Sequence, residues 1–218
     1  MAHRTFKEGF TIVELLVVIT IIGLLVAIMV PAINIAIESG RRANCQHNAK
    51  SVATALISHH LQNRKMPKET GNIGGRPWAG MILDEMGRQD LYDQWDEGLT
   101  GLEVVEQFLC PSDEVPDTEN ADDTKYPISY LANDLVIRDD RAAKLSEFRN
   151  LSNTILLAES TLKSGQKWHG GTSTFKIPDN GIILSTLDSK HGDEIIMAFC
   201  DGSAKQIPKD TEWSIFKD

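Results

Sequence analysis

The sequence predicts an α+β protein in which one long N-terminal helix, apolar in its first half and amphipathic in its second, packs on a mainly antiparallel sheet. Three observations carry that prediction. Leu15 to Ile37 is a run of 23 residues without a charge. The residues after it keep a helical spacing of apolar positions. Beyond Met66 the chain changes to short β-branched and aromatic segments separated by glycine, proline and acidic residues. With 218 residues, 41% apolar and 24% charged, there is material for one globular domain and a small appendage.

The first element is a short basic leader. Residues 1–9 carry His3, Arg4 and Lys7 against Glu8, which by the positive-inside rule leaves them in the cytoplasm and sends the rest of the chain outward. Of the 28 residues from Phe10 to Ile37, 22 are apolar. At about 1.5 Å per residue the uncharged run reaches roughly 34 Å, enough to cross a bilayer once. A cleaved secretory signal has a shorter apolar core. The expected organisation is a cytoplasmic leader over 1–9, a membrane-spanning half of the helix over 10–37, an amphipathic half over 38–63 and a globular domain over 64–218. The chain then crosses a membrane once, with the globular domain beyond its outer face.

Glu14 stands at the entrance to the apolar run, where a carboxylate at bilayer depth costs about 2 to 3 kcal/mol unless it is paired. Gly23 and Pro31 interrupt the run, and because proline lacks a backbone donor a kink or local unwinding is expected between them. In the next segment Cys45, Ala49, Val52, Leu56 and His60 recur on one face, while Arg41, Arg42, Gln46, Lys50 and Asn63 fall elsewhere. Met66-Pro67 and the glycines at 71, 74 and 75 end the pattern, so the helix should stop near Asn63 after about fifty residues.

In the globular part, Ile82, Met86, Leu91 and Trp95 share a helical face and predict a short amphipathic helix over Met81 to Trp95. Strands are expected at Val104–Leu109, Tyr126–Leu131, Thr154–Ala158, Gly181–Leu184, Glu194–Phe199 and Ala204–Ile207. Asp201-Gly202 between the last two predicts a type I′ hairpin turn.

Charge excludes one class of function. With 31 acidic against 22 basic residues and a net charge of -9, the chain is repelled by phosphate backbones, so no direct nucleic-acid partner is expected. Cys45, Cys110 and Cys200 are too few and too far apart for a metal knuckle, and no metal ligand set is read from spacing. Outside the membrane paired thiols persist. Cys45 on the packed helix face and Cys110 at the end of a strand could then meet; Cys110 with Cys200 is the other pairing left open. The acids Asp113, Glu114, Asp117, Glu119, Asp122 and Asp123 make a solvated loop, with calcium as its one candidate ligand, although EF-hand spacing is missing. Ser152, His191 and Asp201 are residue types of an acyl-transfer triad, yet Ser152 lacks the strained elbow such a nucleophile needs and Asp201 suits a turn; no catalytic residue is assigned.

The block Gly9-Phe10-Thr11-Ile12-Val13-Glu14-Leu15-Leu16 closely resembles the processing signal of type IV prepilins and type II secretion pseudopilins. That resemblance implies a pilin-like fold, an assembly role for residues 10–37, a single pass of the inner membrane with the C-terminal domain periplasmic or extracellular, and cleavage between Gly9 and Phe10 by a prepilin peptidase that also N-methylates Phe10. Glu14 is then needed for assembly, with Gly23 and Pro31 at offsets common in filament-forming pilins. A second resemblance covers nearly the whole chain. Arg41-Arg42-Ala43-Asn44-Cys45-Gln46-His47-Asn48-Ala49-Lys50, the segment from Pro77 to Trp95, Phe108-Leu109-Cys110-Pro111-Ser112-Asp113, Ser129-Tyr130-Leu131-Ala132-Asn133, Ser152-Asn153-Thr154 with Glu159-Ser160, and His191 followed after nine residues by Asp201-Gly202 together resemble the pilin-like DUF1559 family. The implied function is structural and non-enzymatic: a subunit of a type IV pilus or type II secretion-like filament. Its partners would be the peptidase and N-methyltransferase, other pilin or pseudopilin subunits, an assembly platform protein and the membrane. The alternative is a membrane-anchored extracytoplasmic binding module that uses the same signal for export.

Overall fold

The computed structural model describes residues 11–69, 76–95, 104–113, 127–161, 174–175, 187–211 and 216. Helix α1 runs from Ile12 to Asn63, 52 residues. It is unbroken through Gly23 and Pro31, so the expected local unwinding does not occur. Proline deletes only one bond of the ladder, and in a helix of this length the flanking turns hold the segment helical. The helix ends at Asn63, followed by Arg64 in the left-handed region at φ 58°. The chain divides into two compact units between Gly40 and Arg41.

In the first unit all eighteen large apolar residues from Ile12 to Ile37 are at least 45% exposed. This segment is long and apolar enough to cross a membrane, and none of it is buried by the protein itself.

The second unit contains the rest of α1, two short helices, α2 (Trp78–Met81) and α3 (Gln89–Gln94), and the strands β1 (Tyr130–Asn133), β2 (Ile155–Glu159), β3 (Thr174–Phe175), β4 (Glu194–Phe199) and β5 (Ala204–Pro208). Among the described residues these strands form one sheet of order β3-β1-β2-β4-β5. Every pairing is antiparallel except β1 with β3. The α+β class with a mainly antiparallel sheet therefore holds.

Both faces of the sheet are apolar, and the alternation along β4 shows how. Ile196 and Ala198 join the cluster that includes Cys45, Ala49, Val52 and Leu56 of α1. Ile195, Met197 and Phe199 point to the other face, with Leu131, Phe175 and Leu187. A register shift between Ile155 and Leu157 puts both Leu156 and Leu157 on the helix side.

Several local expectations are corrected. Met81 to Trp95 is not one helix: α2 ends at Met81 and Gly87, at φ 75°, separates it from α3. Ile82 and Leu91 are nonetheless buried, with Met86 and Trp95 packed against the same core. A Cβ on Gly80 would lie 2.7 Å from the Trp95 ring, so only glycine lets that ring close over α2. Val104–Leu109 is not a strand; Glu106–Phe108 is a 3-10 turn. Asn48 of α1 donates from its amide to the Leu109 and Glu106 carbonyls (2.9 and 3.3 Å), taking the place of a strand partner. The turn after β4 is not type I′, because only Gly202 has positive φ (82°) while Asp201 does not. The Gly202 N–H bonds the Phe199 carbonyl (2.9 Å), and the Phe199 N–H bonds the Ser203 carbonyl (2.8 Å). This is the three-residue hairpin with glycine in the left-handed position. The buried histidine of the α1 face is His59 rather than His60, with its Nδ1 3.1 Å from the Glu85 carboxylate. The strand expected at Gly181–Leu184 lies outside the described residues.

Candidate functional site

Two places carry the residues singled out above. The first is the start of α1. Gly9 and Phe10 lie outside the described residues, but Thr11 and Glu14 form a capping box. The Thr11 N–H donates to Glu14 Oε2 (2.8 Å), the Glu14 N–H donates to Thr11 Oγ1 (3.2 Å), and the Thr11 hydroxyl also donates to Glu14 Oε2 (2.7 Å). Glu14 thus satisfies helix donors that lipid cannot. The Thr-x-x-Glu spacing was legible in the sequence and went unread.

The second place is buried in the globular unit, where five of the family-like blocks converge. A disulfide joins Cys45 of α1 to Cys110, with the Cα atoms 4.8 Å apart. His191, only 2% exposed, places Nε2 3.3 Å from Cys110 Sγ and 3.5 Å from Oε1 of Glu159, itself 1% exposed. The other carboxylate oxygen, Oε2, accepts the Ile196 N–H of β4 (3.3 Å). Tyr130 Oη donates to the Cys45 carbonyl (2.9 Å). Burial pushes Glu159 up to about 7, against the opposing pull of His191, the Ser189 hydroxyl and the Ile196 N–H. Asp113 is also raised by burial.

The helix holds the cluster through its polar residues as well. Arg42 reaches the Glu194 carboxylate (2.7 Å) and the His191 carbonyl (3.0 Å), and Gln46 donates to the Ala204 carbonyl (2.6 Å). The Arg-Arg-x-x-Cys-Gln-x-Asn pattern is therefore a docking row: Arg42 fastens α1 to the segment before β4, Gln46 to β5, and Cys45 and Asn48 together to residues 106–110.

The residues of the Ser152, His191, Asp201 set have separate local roles. Ser152 is exposed and donates to the Asn150 side chain (2.7 Å), and Asp201 accepts the Ser203 N–H (2.8 Å). Asn133 donates to the Ile155 carbonyl (2.8 Å), tying β1 to β2. Cys200 is buried and outside the disulfide. Five of the six acids of the calcium-candidate loop lie outside the described residues. Glu159 is the residue that sequence reasoning left without a role; its signal was a carboxylate closing an otherwise apolar strand.

Comparison with known proteins places the chain in a family. A family described as "Protein of unknown function (DUF1559)" matches residues 36–148, and the "Prokaryotic N-terminal methylation motif" matches residues 4–30. The chain is 29% identical over 87 residues to the type II secretion system core protein G of Pseudomonas aeruginosa, covering 35% of this chain and 61% of that protein. It is 34% identical over 80 residues to the type IV narrow pilus major component PilA5 of Thermus thermophilus, covering 33% of this chain and 69% of that one. No solved structure matches. An apolar helix with this signal anchors the chain to a membrane. The chain belongs to the DUF1559 family and carries the prokaryotic N-terminal methylation motif, in common with pilin and pseudopilin subunits.

Proposed function

We propose that the protein is a structural subunit of a type IV pilus or type II secretion-like filament, held in the inner membrane by a single pass until assembly. The observation that supports this most strongly is the first unit: an apolar helix with every large side chain exposed, directly after Gly9-Phe10. Prepilin peptidase cleaves after Gly9 on the cytoplasmic side and Phe10 is N-methylated. A platform protein then moves the subunit from lipid into a bundle of like helices. There Glu14 exchanges part of its contact with Thr11 for the terminal amine of a neighbour, where low dielectric makes the ion pair strong. The exposed apolar side chains exchange lipid for one another, so the step is driven by packing and polar pairing rather than by a gain in hydrophobic burial.

Intact-mass spectrometry of the protein from its native membrane tests this. A mature chain of 209 residues (218 minus 9) beginning with methylated Phe10 is expected. A chain still beginning at Met1 or Ala2 in cells with active prepilin peptidase would refute it.

A further inference from the structure

We propose that Cys45, Cys110, Glu159 and His191 bind one zinc ion in tetrahedral geometry whenever the two cysteines are a dithiol, so that this point of the fold is closed either by a disulfide or by a metal. The ligand atoms of all four residues lie within 4.8 Å of one another, and all four residues are buried. A tetrahedral zinc site with bonds of about 2.3 Å to sulfur and about 2.0 Å to nitrogen or oxygen puts its ligands roughly 3.3 to 3.8 Å apart. His191 Nε2 already sits at 3.3 Å from Cys110 Sγ and 3.5 Å from Glu159 Oε1. The two sulfurs have to separate and the widest pair, at up to 4.8 Å, has to close by about 1 Å, both within reach of side-chain rotation.

The donor set is that of zinc: two thiolates, one imidazole and one carboxylate. The surroundings are also those of a ligand shell. The Ile196 N–H holds Glu159 Oε2 and leaves Oε1 turned to the histidine. The Tyr130 hydroxyl fixes the Cys45 carbonyl, and Arg42 fixes the His191 carbonyl while placing a positive charge beside an anionic site.

The two states interconvert with balanced chemistry. Zinc binding replaces the two thiol protons, which leave to solvent. Disulfide formation instead passes the two electrons and two protons of the dithiol to an incoming disulfide, which becomes two thiols. The four ligands come from α1, the segment after the 3-10 turn, the end of β2 and the segment before β4. Zinc would therefore join the same elements as the disulfide, and two more, in a chain not yet oxidised.

The test uses the full chain in detergent micelles. A water-soluble phosphine reduces the disulfide, is itself oxidised to phosphine oxide, and is removed by anaerobic desalting. Cobalt(II) and then zinc are titrated in. The expected result is one equivalent of cobalt with a thiolate-to-metal charge-transfer band and intense tetrahedral d–d bands, both abolished by one equivalent of zinc and absent from the oxidised protein. His191→Ala and Glu159→Gln should each weaken cobalt binding at least about tenfold. Zinc should raise the thermal midpoint of the reduced chain and leave that of the oxidised chain unchanged. Reduced protein with native circular dichroism that shows no tetrahedral cobalt spectrum would overturn the proposal. So would reduced protein that has unfolded and is not refolded by stoichiometric zinc, or His191→Ala binding cobalt as wild type does.

Discussion

The two halves of α1 share one secondary structure and face different surroundings. Over residues 12–37 the large side chains Leu, Ile, Val and Met are all exposed, the least of them, Val18, at 45%. Over residues 41–63 the buried set is Cys45, Ala49, Val52, Ala53, Ala55, Leu56 and His59. Bulk belongs where lipid or another helix must fill space around a free-standing rod. Small residues belong where the helix backbone has to come close to a sheet. Hydrophobicity alone would have assigned the first half to the core; side-chain size and the docking row of Arg42, Gln46 and Asn48 identify the second half as the packed one. No large side chain of the first half is buried, whereas seven residues of the second half are.

The largest effect expected from breaking this division is at the disulfide. Replacing Cys45 and Cys110 together with alanine opens a loop of 65 residues and should lower the stability of the globular unit by about 4 kcal/mol in the chain-entropy model. Urea unfolding of the full chain in detergent, followed by near-ultraviolet circular dichroism, checks it; a loss below about 1 kcal/mol would show that the helix is held by packing alone.

Next comes a paired truncation. Leu56 is fully buried, so Leu56→Ala should cost about 3 kcal/mol. Leu24, 63% exposed, should cost the globular unit nothing when changed to alanine. Equal losses at both positions would contradict the separation of the two halves.

The third effect is a pH dependence confined to the second unit. Glu159 has its carboxyl raised from 4.5 to about 7 by burial. Between those values the folded oxidised protein holds a proton that the unfolded chain has released. This stabilisation is complete below pH 4.5 and is lost as pH rises through about 7, a fall of up to about 3 kcal/mol. Glu159→Gln should flatten that slope. A slope unchanged in the variant would assign it to another group.

How much of this was legible depended on sequence distance. The span of α1, its stop at Asn63 and strands β2, β4 and β5 rest on local pattern, and local pattern found them within a residue or two. Val104–Leu109 misled because its β-branched residues are extended only as far as Val105, after which Asn48 takes up the carbonyls. The Asp201-Gly202 turn was located correctly and typed wrongly, since the dipeptide fits both hairpin forms. His59 rather than His60 is buried because adjacent helical positions point about 100° apart and only one of the pair faces the core. The Glu159–His191 pair was hidden for a different reason. Its members are 32 positions apart in two separate family-like blocks, neither of which points to the other, and only the sheet brings them together beside the disulfide.

The smallest effect on the globular unit is expected at Glu14, and here the comparison is sharpened by choosing two substitutions. The carboxylate caps the Thr11 N–H within its own chain, and assembly is proposed to need its charge for a neighbour's terminal amine. Glutamine keeps an amide oxygen for the cap and loses the charge; alanine loses both. Neither change should shift the unfolding transition of residues 41–218, because Glu14 lies in the other compact unit. Both should lower the amount of subunit recovered in sheared fibres by about tenfold, equivalent to about 1.4 kcal/mol per subunit contact, while leaving cleavage after Gly9 intact. Quantitative immunoblotting of sheared fibres against the membrane fraction measures it. If Glu14→Gln assembles as wild type and Glu14→Ala does not, the helix cap is what assembly requires and the charge pairing is wrong. If both assemble normally, the exposed apolar helix alone sets the register.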